Sequence, residues 1–250
     1  MVLIFGSLTS FTIAYSQSDG FGKFVMLGLV ALSILCWVVL IHKIWMIHKV
    51  RKISQAFQTA FETHRSEILK LDLKALPKPT REGIPHPFGE IFHSFQKKTL
   101  EVLNKNHYFL NRGGEQKKAV HLTPSDLELL ESHVMMTTSS QMKTLEKNVF
   151  ILSTIATLAP FMGLLGTVWG ILVSFSGLHT GGAVSSNSAI LGGLSTALAT
   201  TVLGLIIAIP ALIAYNYLRN DLRNFSLDMD NFLSFLLSNI ELQYRKVECD

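Results

Sequence analysis

The chain contains a run of 71 residues, Asn148 to Leu218, without a single Asp, Glu, Lys or Arg. About 20 residues cross the hydrocarbon core of a bilayer as a helix, so this run is long enough for two crossings and a short turn. A soluble core does not account for it. The charged fraction of the whole chain is 16%, against about 25% in soluble domains. We therefore expect an integral membrane protein.

A third apolar stretch lies near the N-terminus, at Phe24 to Ile41, and carries no formal charge. Basic residues follow this stretch closely, at Lys43, Lys49, Arg51 and Lys52. Residues 1–22 contain no Lys or Arg, whereas Arg219 and Arg223 follow the long uncharged run. Positive charge is retained on the cytoplasmic side, so we expect the N-terminus outside and the C-terminus inside.

These signals predict an all-α integral membrane protein with three transmembrane helices, the second and third extended into a cytoplasmic helical domain. The expected segments are a periplasmic N-terminal tail at 1–22, transmembrane helix 1 at 23–42, a cytoplasmic helical domain at 43–147, transmembrane helix 2 at 148–178, a periplasmic loop at 179–189, transmembrane helix 3 at 190–218 and a cytoplasmic C-terminal helix at 219–250. We expect the tail to lie on the membrane surface.

Local signals give the cytoplasmic part more detail. A linker broken by prolines, Leu76 to Pro87, separates two predicted helices. A further helix should begin at Thr123-Pro124, since Thr is a favoured N-cap and Pro a favoured first residue. Ser125 with Glu128 offers an alternative capping box. Because no Pro or Gly follows through Leu145, we expect this helix to continue straight into the second span. The C-terminal segment has apolar residues at steps of three and four, which predicts an amphipathic helix packed on the other cytoplasmic helices: Leu222, Phe225, Met229, Phe232, Leu236 and Ile240.

Small residues form one face on each of the two later spans. The glycines predicted to allow close helix packing are Gly163, Gly166 and Gly170 in the second span and Gly193 and Gly204 in the third. Pro160 and Pro210 each remove a backbone hydrogen bond, and we expect a kink at both. Such a kink is either fixed shape or a hinge.

Three threonines, Thr167, Thr196 and Thr201, lie beside these small-residue faces. A single threonine in a membrane helix usually bonds a carbonyl of its own helix and has no further role. Three of them near facing stripes favour a polar-lined, tightly packed pathway, which is our hypothesis for these positions.

The sequence gives little support to other classes of function. We expect no enzyme, because no nucleophile motif, phosphate loop or catalytic residue is evident, and we expect no metal site and no cofactor. The net charge of +4 lies in blocks beside the apolar stretches, so no nucleic-acid partner is expected. Cys36 and Cys249 lie in a span and in the tail, where we expect no disulfide.

Two segments resemble a known family. Leu145 to Ile171, with the core APFMGLLGTVWG, is similar to the second span of ExbB and TolQ, and Ala197 to Asn216 is similar to their third span. The TolQ/ExbB/MotA resemblance implies a multi-pass subunit of the bacterial inner membrane that forms a homo-oligomer, a pentamer. The ring would enclose an ExbD/TolR-like partner dimer whose single span carries an Asp. By residue match, Thr167 and Thr201 would face that Asp, and Pro160 and Pro210 match prolines linked to conformational change.

One position departs from the family pattern. ExbB and TolQ usually have a Glu where this chain has Thr196, and no acid lies between Asn148 and Leu218. The leading expectation is a proton-channel motor subunit for Tol-Pal-type envelope maintenance or TonB-dependent transport, with a TonB- or TolA-like protein as a further partner. The alternative is a non-conducting membrane scaffold of the same fold that has lost ion coupling. The sequence leaves open which process is served and whether H⁺ or Na⁺ moves.

Overall fold

The structure is a computed structural model. It describes residues 12, 14–16, 18–62, 85–112, 121–179 and 185–244. The long helices in this part of the chain are α1 (Gly20–Glu62), α2 (Pro87–Arg112), α3 (Pro124–Glu146), α4 (Phe150–His179) and α5 (Ser185–Tyr244). No β-strand occurs among the described residues, so the all-α prediction is confirmed. Residues 180–184 of the predicted periplasmic loop, and most of the predicted N-terminal tail and Pro-broken linker, lie outside the described ranges.

Three helical stretches are long and apolar enough to cross a membrane: Gly20–Phe61, Pro124–Ser176 and Ile190–Tyr244. Many large apolar side chains on these stretches are exposed, among them Phe24, Phe161 and Ile213. In water this exposure would be costly, whereas lipid makes it favourable. The prediction of three membrane-spanning helices is therefore confirmed, and the chain is a membrane protein.

The chain divides into two compact units, described separately below. The first, which we call the apolar unit, comprises Met1–Lys43 and Asn148–Arg219. The second, the charged unit, comprises Ile44–Lys147 and Asn220–Asp250.

Phenylalanine rings fill the core of the charged unit. Phe61 lies at the centre, with ring centroids 5.3 Å from Phe92 and 5.5 Å from Phe232. Phe57 and Phe88 extend the cluster, and all five rings are buried. The apolar residues of the predicted C-terminal amphipathic helix are all buried too, at Leu222, Phe225, Met229, Phe232, Leu236 and Ile240.

Helix α3 begins as the sequence predicts, at Thr123 followed by Pro124. The capping box forms between Thr123 and Asp126, so the alternative pairing of Ser125 with Glu128 is wrong. Burial alone would raise the pKa of Asp126. Its hydrogen bonds from Thr123 and Asn106, together with the charge of Lys105, outweigh burial and hold the pKa below its ordinary value.

The chain does not pass from α3 into α4 as one regular helix. Helix α3 ends at Glu146 and α4 begins at Phe150, and between them Asn148 has a positive φ of 69°. Asn is the residue other than Gly that most readily takes this left-handed conformation, which commonly ends helices. The expectation of an uninterrupted helix considered only Pro and Gly as breakers and so overlooked Asn148.

Candidate functional site

Helices α4 and α5 touch through backbone at two glycines of the apolar unit. A Cβ added to Gly163 would lie 3.0 Å from both the Thr200 carbonyl oxygen and the Thr201 Cα. A Cβ on Gly204 would lie 2.5 Å from the carbonyl oxygen of Ala159. Because a backbone atom cannot move aside as a side chain can, only glycine permits the approach at position 204. At position 163 a Cβ would require the facing backbone to shift by a few tenths of an ångström.

The other three glycines on this contact each face a side chain, and Gly170 faces backbone as well. A Cβ on Gly166 would collide with the Thr200 side chain, whose own Cβ would be 2.6 Å away. On Gly170 it would lie 2.8 Å from the Ala197 Cβ and 2.7 Å from the Gly193 carbonyl oxygen. Gly193 faces Ser174 in turn. All five predicted packing glycines therefore lie where two helices of the same chain meet.

Two threonine hydroxyls converge on one carbonyl at the centre of this contact. The Thr201 Oγ1 donates to the Gly163 carbonyl oxygen at 3.0 Å, and the Thr200 Oγ1 lies 3.4 Å from the same oxygen while donating to Ala197 at 2.8 Å. Thr200 is fully buried, whereas Thr201 is half-buried and so retains one open side. Thr200 belongs to the small-residue face of the third span, but it was not among the threonines predicted to line a pathway.

Thr167 lies one turn beyond Gly163 on α4, and its hydroxyl donates to the Leu164 carbonyl at 2.7 Å. In this arrangement Thr167 and Thr201 both direct their single hydroxyl proton at a carbonyl of their own chain. A hydroxyl in that state offers only its lone pairs to other molecules. The two side chains therefore present acceptors, which suits a donor such as a protonated carboxylic acid.

Thr196 is in a different environment from the other two threonines. It is 3% exposed, and its Oγ1 lies 2.9 Å from the Gly192 carbonyl oxygen, 3.1 Å from the Ala14 carbonyl oxygen and 3.0 Å from the Ser18 Oγ. The N-terminal segment of the same chain thus covers the position where a Glu was expected. Its predicted role in a pathway remains a prediction.

Both prolines lie inside helices that continue past them, Pro160 in α4 and Pro210 in α5. Proline has no N–H, so the carbonyls of Ala156 and Ile206 lose their usual helical donor. The hinge role of these prolines remains a prediction.

The structure adds one acidic residue, Asp19, which belongs to the tail that we expected to lie on the membrane surface. The Asp19 Oδ2 accepts a hydrogen bond from the Trp169 Nε1 at 2.7 Å, and the Trp169 ring lies 4.3 Å from that of Phe21. The spacing of small residues in the tail is the signal that could have revealed the docking, since Ala14, Ser18 and Gly22 recur every four residues.

No group of three or more His, Cys, Asp or Glu that could hold a metal ion occurs in the described ranges. The candidate site is the α4–α5 contact with its threonines.

Comparisons with known proteins point to the same helices. Residues 102–231 match the profile of the MotA/TolQ/ExbB proton channel family, which includes α3, α4 and much of α5.

Individual relatives agree with the profile. The chain is 30% identical over 205 residues to the biopolymer transport protein ExbB of Pseudomonas putida, covering 81% of this chain and 54% of that protein. It is 46% identical over 88 residues to the ExbB of Aquifex aeolicus, covering 35% of this chain and 59% of that protein. It is 29% identical over 195 residues to the Tol-Pal system protein TolQ of Pseudomonas aeruginosa, covering 78% of this chain and 76% of that protein. The chain thus spans little more than half the length of the two ExbB proteins.

Proposed function

The chain belongs to the MotA/TolQ/ExbB proton channel family, and on that basis we propose that it is a channel and stator subunit driven by the proton-motive force. It works in the bacterial inner membrane with an ExbD/TolR-like partner dimer whose span carries an Asp. The work serves an envelope process, either Tol-Pal-type maintenance or TonB-dependent transport, through a TolA- or TonB-like protein. Relatives named for both processes support the common part of this proposal.

The observation that carries the proposal is the half-buried Thr201 hydroxyl, held 3.0 Å from the Gly163 carbonyl oxygen in a contact between two segments that contain no Asp, Glu, Lys or Arg. An ionised carboxylate is costly in the bilayer interior unless nearby groups donate hydrogen bonds to it. A protonated partner Asp finds acceptors at Thr201 and Thr167. Once ionised, the Asp needs donors, and a rotation of the Thr201 hydroxyl away from Gly163 supplies one.

This order of events gives the threonines a role in both protonation states of the partner Asp. The rotation exchanges a neutral hydrogen bond to a carbonyl for a charge-assisted one, which is roughly twice as strong. Proton release from the partner Asp is therefore coupled to a small rearrangement at the α4–α5 contact. Movement of the ring relative to the partner would follow from repeating this exchange in each subunit.

Assembly into a pentamer uses faces other than the glycine contact. Because Gly163, Gly166 and Gly204 are covered within one chain, they are not available to a neighbouring subunit. The opposite face of α5 is apolar and exposed, with Leu198, Val202, Ile206, Ile209 and Ile213. We propose that this face contacts lipid or the next subunit.

The test is the variant Thr201→Val, which keeps the side-chain shape and deletes the hydroxyl. Loss of one hydrogen bond to a charged group costs about 1.5–3 kcal/mol, so we expect proton-driven work to fall about tenfold or more. Thr167→Val should act in the same direction. The measurement is complementation of a strain lacking this chain, together with the amount of assembled complex, which should stay normal.

Thr154→Val is the matched control, because Thr154 is exposed on α4 and its hydroxyl bonds only its own helix, at the Phe150 carbonyl. It should retain full activity. Full activity of both Thr167→Val and Thr201→Val would contradict the threonine-lined path.

A non-conducting scaffold is the second candidate, favoured by the absence of any carboxylate between Asn148 and Leu218. The two proposals differ in their partner. A small membrane protein that co-purifies with this chain and has an Asp in its single span supports the channel. A co-purifying partner without that Asp supports the scaffold.

A further inference from the structure

Residues 18–22, which we call the strap, lead into α1 and contact both helices of the candidate site. On the α5 side, Ser18 and Thr196 are both buried, and their hydroxyl oxygens are 3.0 Å apart. The Ser18 Oγ donates its proton to the Ala14 carbonyl oxygen at 2.6 Å. A hydrogen bond between the two hydroxyls therefore uses the Thr196 proton, so Thr196 is the residue that joins α5 to the strap.

A second tie joins the strap to α4. The Asp19 Oδ2 accepts a hydrogen bond from the Trp169 Nε1 at 2.7 Å, while the Asp19 Oδ1 accepts from the Gly22 backbone N–H at 3.0 Å. The ring centroids of Phe21 and Trp169 are 4.3 Å apart. The two ties are adjacent, because a Cβ on Gly22 would lie 3.0 Å from the Asp19 Oδ1 and 3.3 Å from the Thr196 Cγ2.

Helix α1 continues from the strap along the same face of α4. A Cβ on Gly28 would lie 2.7 Å from the Met162 Cε, so the two helices are close at this point. Met162 and Trp169 are seven residues apart, which is close to two helical turns, and they therefore share one face of α4. The strap is thus the end of the α1–α4 packing, at which the chain also reaches α5.

The strap lies on the side of the helix pair away from the two threonines of the proposed pathway. Thr201 is five residues from Thr196, so at about 100° per residue it points about 140° away around α5. On α4, Thr167 and Trp169 are two residues apart and point about 160° apart. One side of the pair is therefore covered by the strap, whereas the other presents the half-buried Thr167 and Thr201.

We propose that the strap is an intramolecular clamp, which holds α4 to α5 on the side opposite Thr167 and Thr201, and that Thr196 is its anchor on α5 and does not line the pathway. The Thr196 side chain is 3% exposed and its Oγ1 has partners within its own chain, as an anchor requires. Thr196 and Trp169 act through the spacing of the two helices and are positioning residues. The clamp fixes one side of the pair, so that the rearrangement of the Thr201 hydroxyl takes place on the other side.

The link between the clamp and proton-driven work rests on the proposed function, whereas the clamp itself does not. A clamp transmits a change made on α5 to the strap's contact on α4, and this can be measured without a partner and without work output. If Thr201→Val and Thr167→Val keep full activity while this transmission is observed, the channel proposal fails and the clamp stands.

The first experiment changes α5 and measures α4. In a chain with Trp37→Phe and Trp45→Phe, Trp169 is the remaining tryptophan. The rate at which its indole N–H exchanges for deuterium is followed by NMR on the purified protein in detergent, because this rate reports opening of the bond to Asp19. Thr196→Val should raise the rate about fivefold, since the loss of one neutral hydrogen bond shifts an opening equilibrium by about that factor.

Matched variants separate the clamp from a general loosening of α5. Ser18→Ala should raise the exchange rate as Thr196→Val does, whereas Thr196→Ser keeps the hydroxyl and should restore slow exchange. Ser195→Ala, at the exposed neighbouring position of α5, should leave the rate unchanged. An unchanged rate in both Thr196→Val and Ser18→Ala, or an equal increase in Ser195→Ala, would overturn the clamp.

The second experiment separates a clamp from a lid that must open. Ser18→Cys and Thr196→Cys, combined with Cys36→Ala and Cys249→Ser, place two thiols where two hydroxyls now meet. We expect the disulfide to form and the bridged chain to complement a strain lacking this chain as well as each single-cysteine variant does. Activity that is lost only in the bridged chain and restored by a reductant would show that the strap leaves α5 during work. That result, or failure of the two thiols to bridge, would overturn the inference.

Discussion

At the scale of single residues, Gly166 and Thr200 set how closely α4 and α5 approach. The atoms nearest to a Cβ on Gly166 all belong to the Thr200 side chain. Thr200 is itself fully buried and holds its hydroxyl on the Ala197 carbonyl, so it has little room to turn away. The cost of enlarging position 166 therefore falls on the fold of one subunit, before any contact between subunits is involved.

Gly166→Leu should destabilise the chain by about 1–3 kcal/mol, the usual range for overpacking a tight contact. The measurement is the thermal unfolding midpoint of the purified protein in mild detergent. Gly20→Ala is the control, because nothing lies within 4 Å of a Cβ at that position, and its midpoint should not fall. An unchanged midpoint in Gly166→Leu would mean that α4 and α5 do not pack through this glycine.

Part of this site could be predicted from the sequence. Glycine and threonine at helical spacing predicted close packing beside polar groups, because spacing along one helix is a local property. Which glycine faces which residue depends on the relative rotation of α4 and α5, and this is a tertiary property. The contact of Asp19 with Trp169 joins residues 150 positions apart. The spacing of small residues in the tail indicates close packing, but it does not indicate which residue the tail meets.

At the scale of the secondary-structure elements, the break between α3 and α4 is the main departure from expectation. Three residues, Lys147 to Val149, separate the two helices, and Asn148 has its φ at 69°. The helices themselves, with the start of α3 at Thr123, follow from capping residues and apolar runs. The break does not, because Asn only permits the left-handed conformation and the surrounding structure must require it.

Asn148→Ala should lower stability by up to about 1 kcal/mol, because both residues have a Cβ in the left-handed region but Ala lacks the local hydrogen bonds that make this conformation tolerable for Asn. Asn148→Gly should be close to neutral, since glycine adopts this conformation without strain. Thermal unfolding of the two purified variants, compared with the parent chain, checks this. Equal midpoints for the Ala and Gly variants would show that the left-handed turn is not required.

At the scale of the whole molecule, formal charge is divided unequally between the two units. Of the 22 Lys and Arg, the sequence of the apolar unit holds Lys23, Lys43 and Arg219, and of the 18 Asp and Glu it holds Asp19. These four residues lie at the margins of the apolar stretches, where long basic side chains can reach the membrane surface. The predicted orientation follows from the basic residues after each stretch.

Cysteine labelling of intact cells tests that orientation. In a background with Cys36→Ala and Cys249→Ser, Ser185→Cys should react with a membrane-impermeant reagent added outside. Ser139→Cys, at an exposed position of α3 in the charged unit, should react only after the membrane is opened. The reverse pattern would place residues 43–147 and 219–250 in the periplasm and contradict the positive-inside argument.

Missense mutations at the glycines of the α4–α5 contact fall into two kinds. Every amino acid other than glycine has a Cβ, so every missense change at these positions adds one. At Gly166 the obstructing atoms belong to a side chain, and a second mutation that shortens Thr200 can make room. At Gly204 the nearest obstructing atom is the backbone carbonyl oxygen of Ala159, which no second codon can remove. Damage at Gly166 is thus open to compensation elsewhere in the chain, whereas at Gly204 only restoration of the glycine repairs the contact.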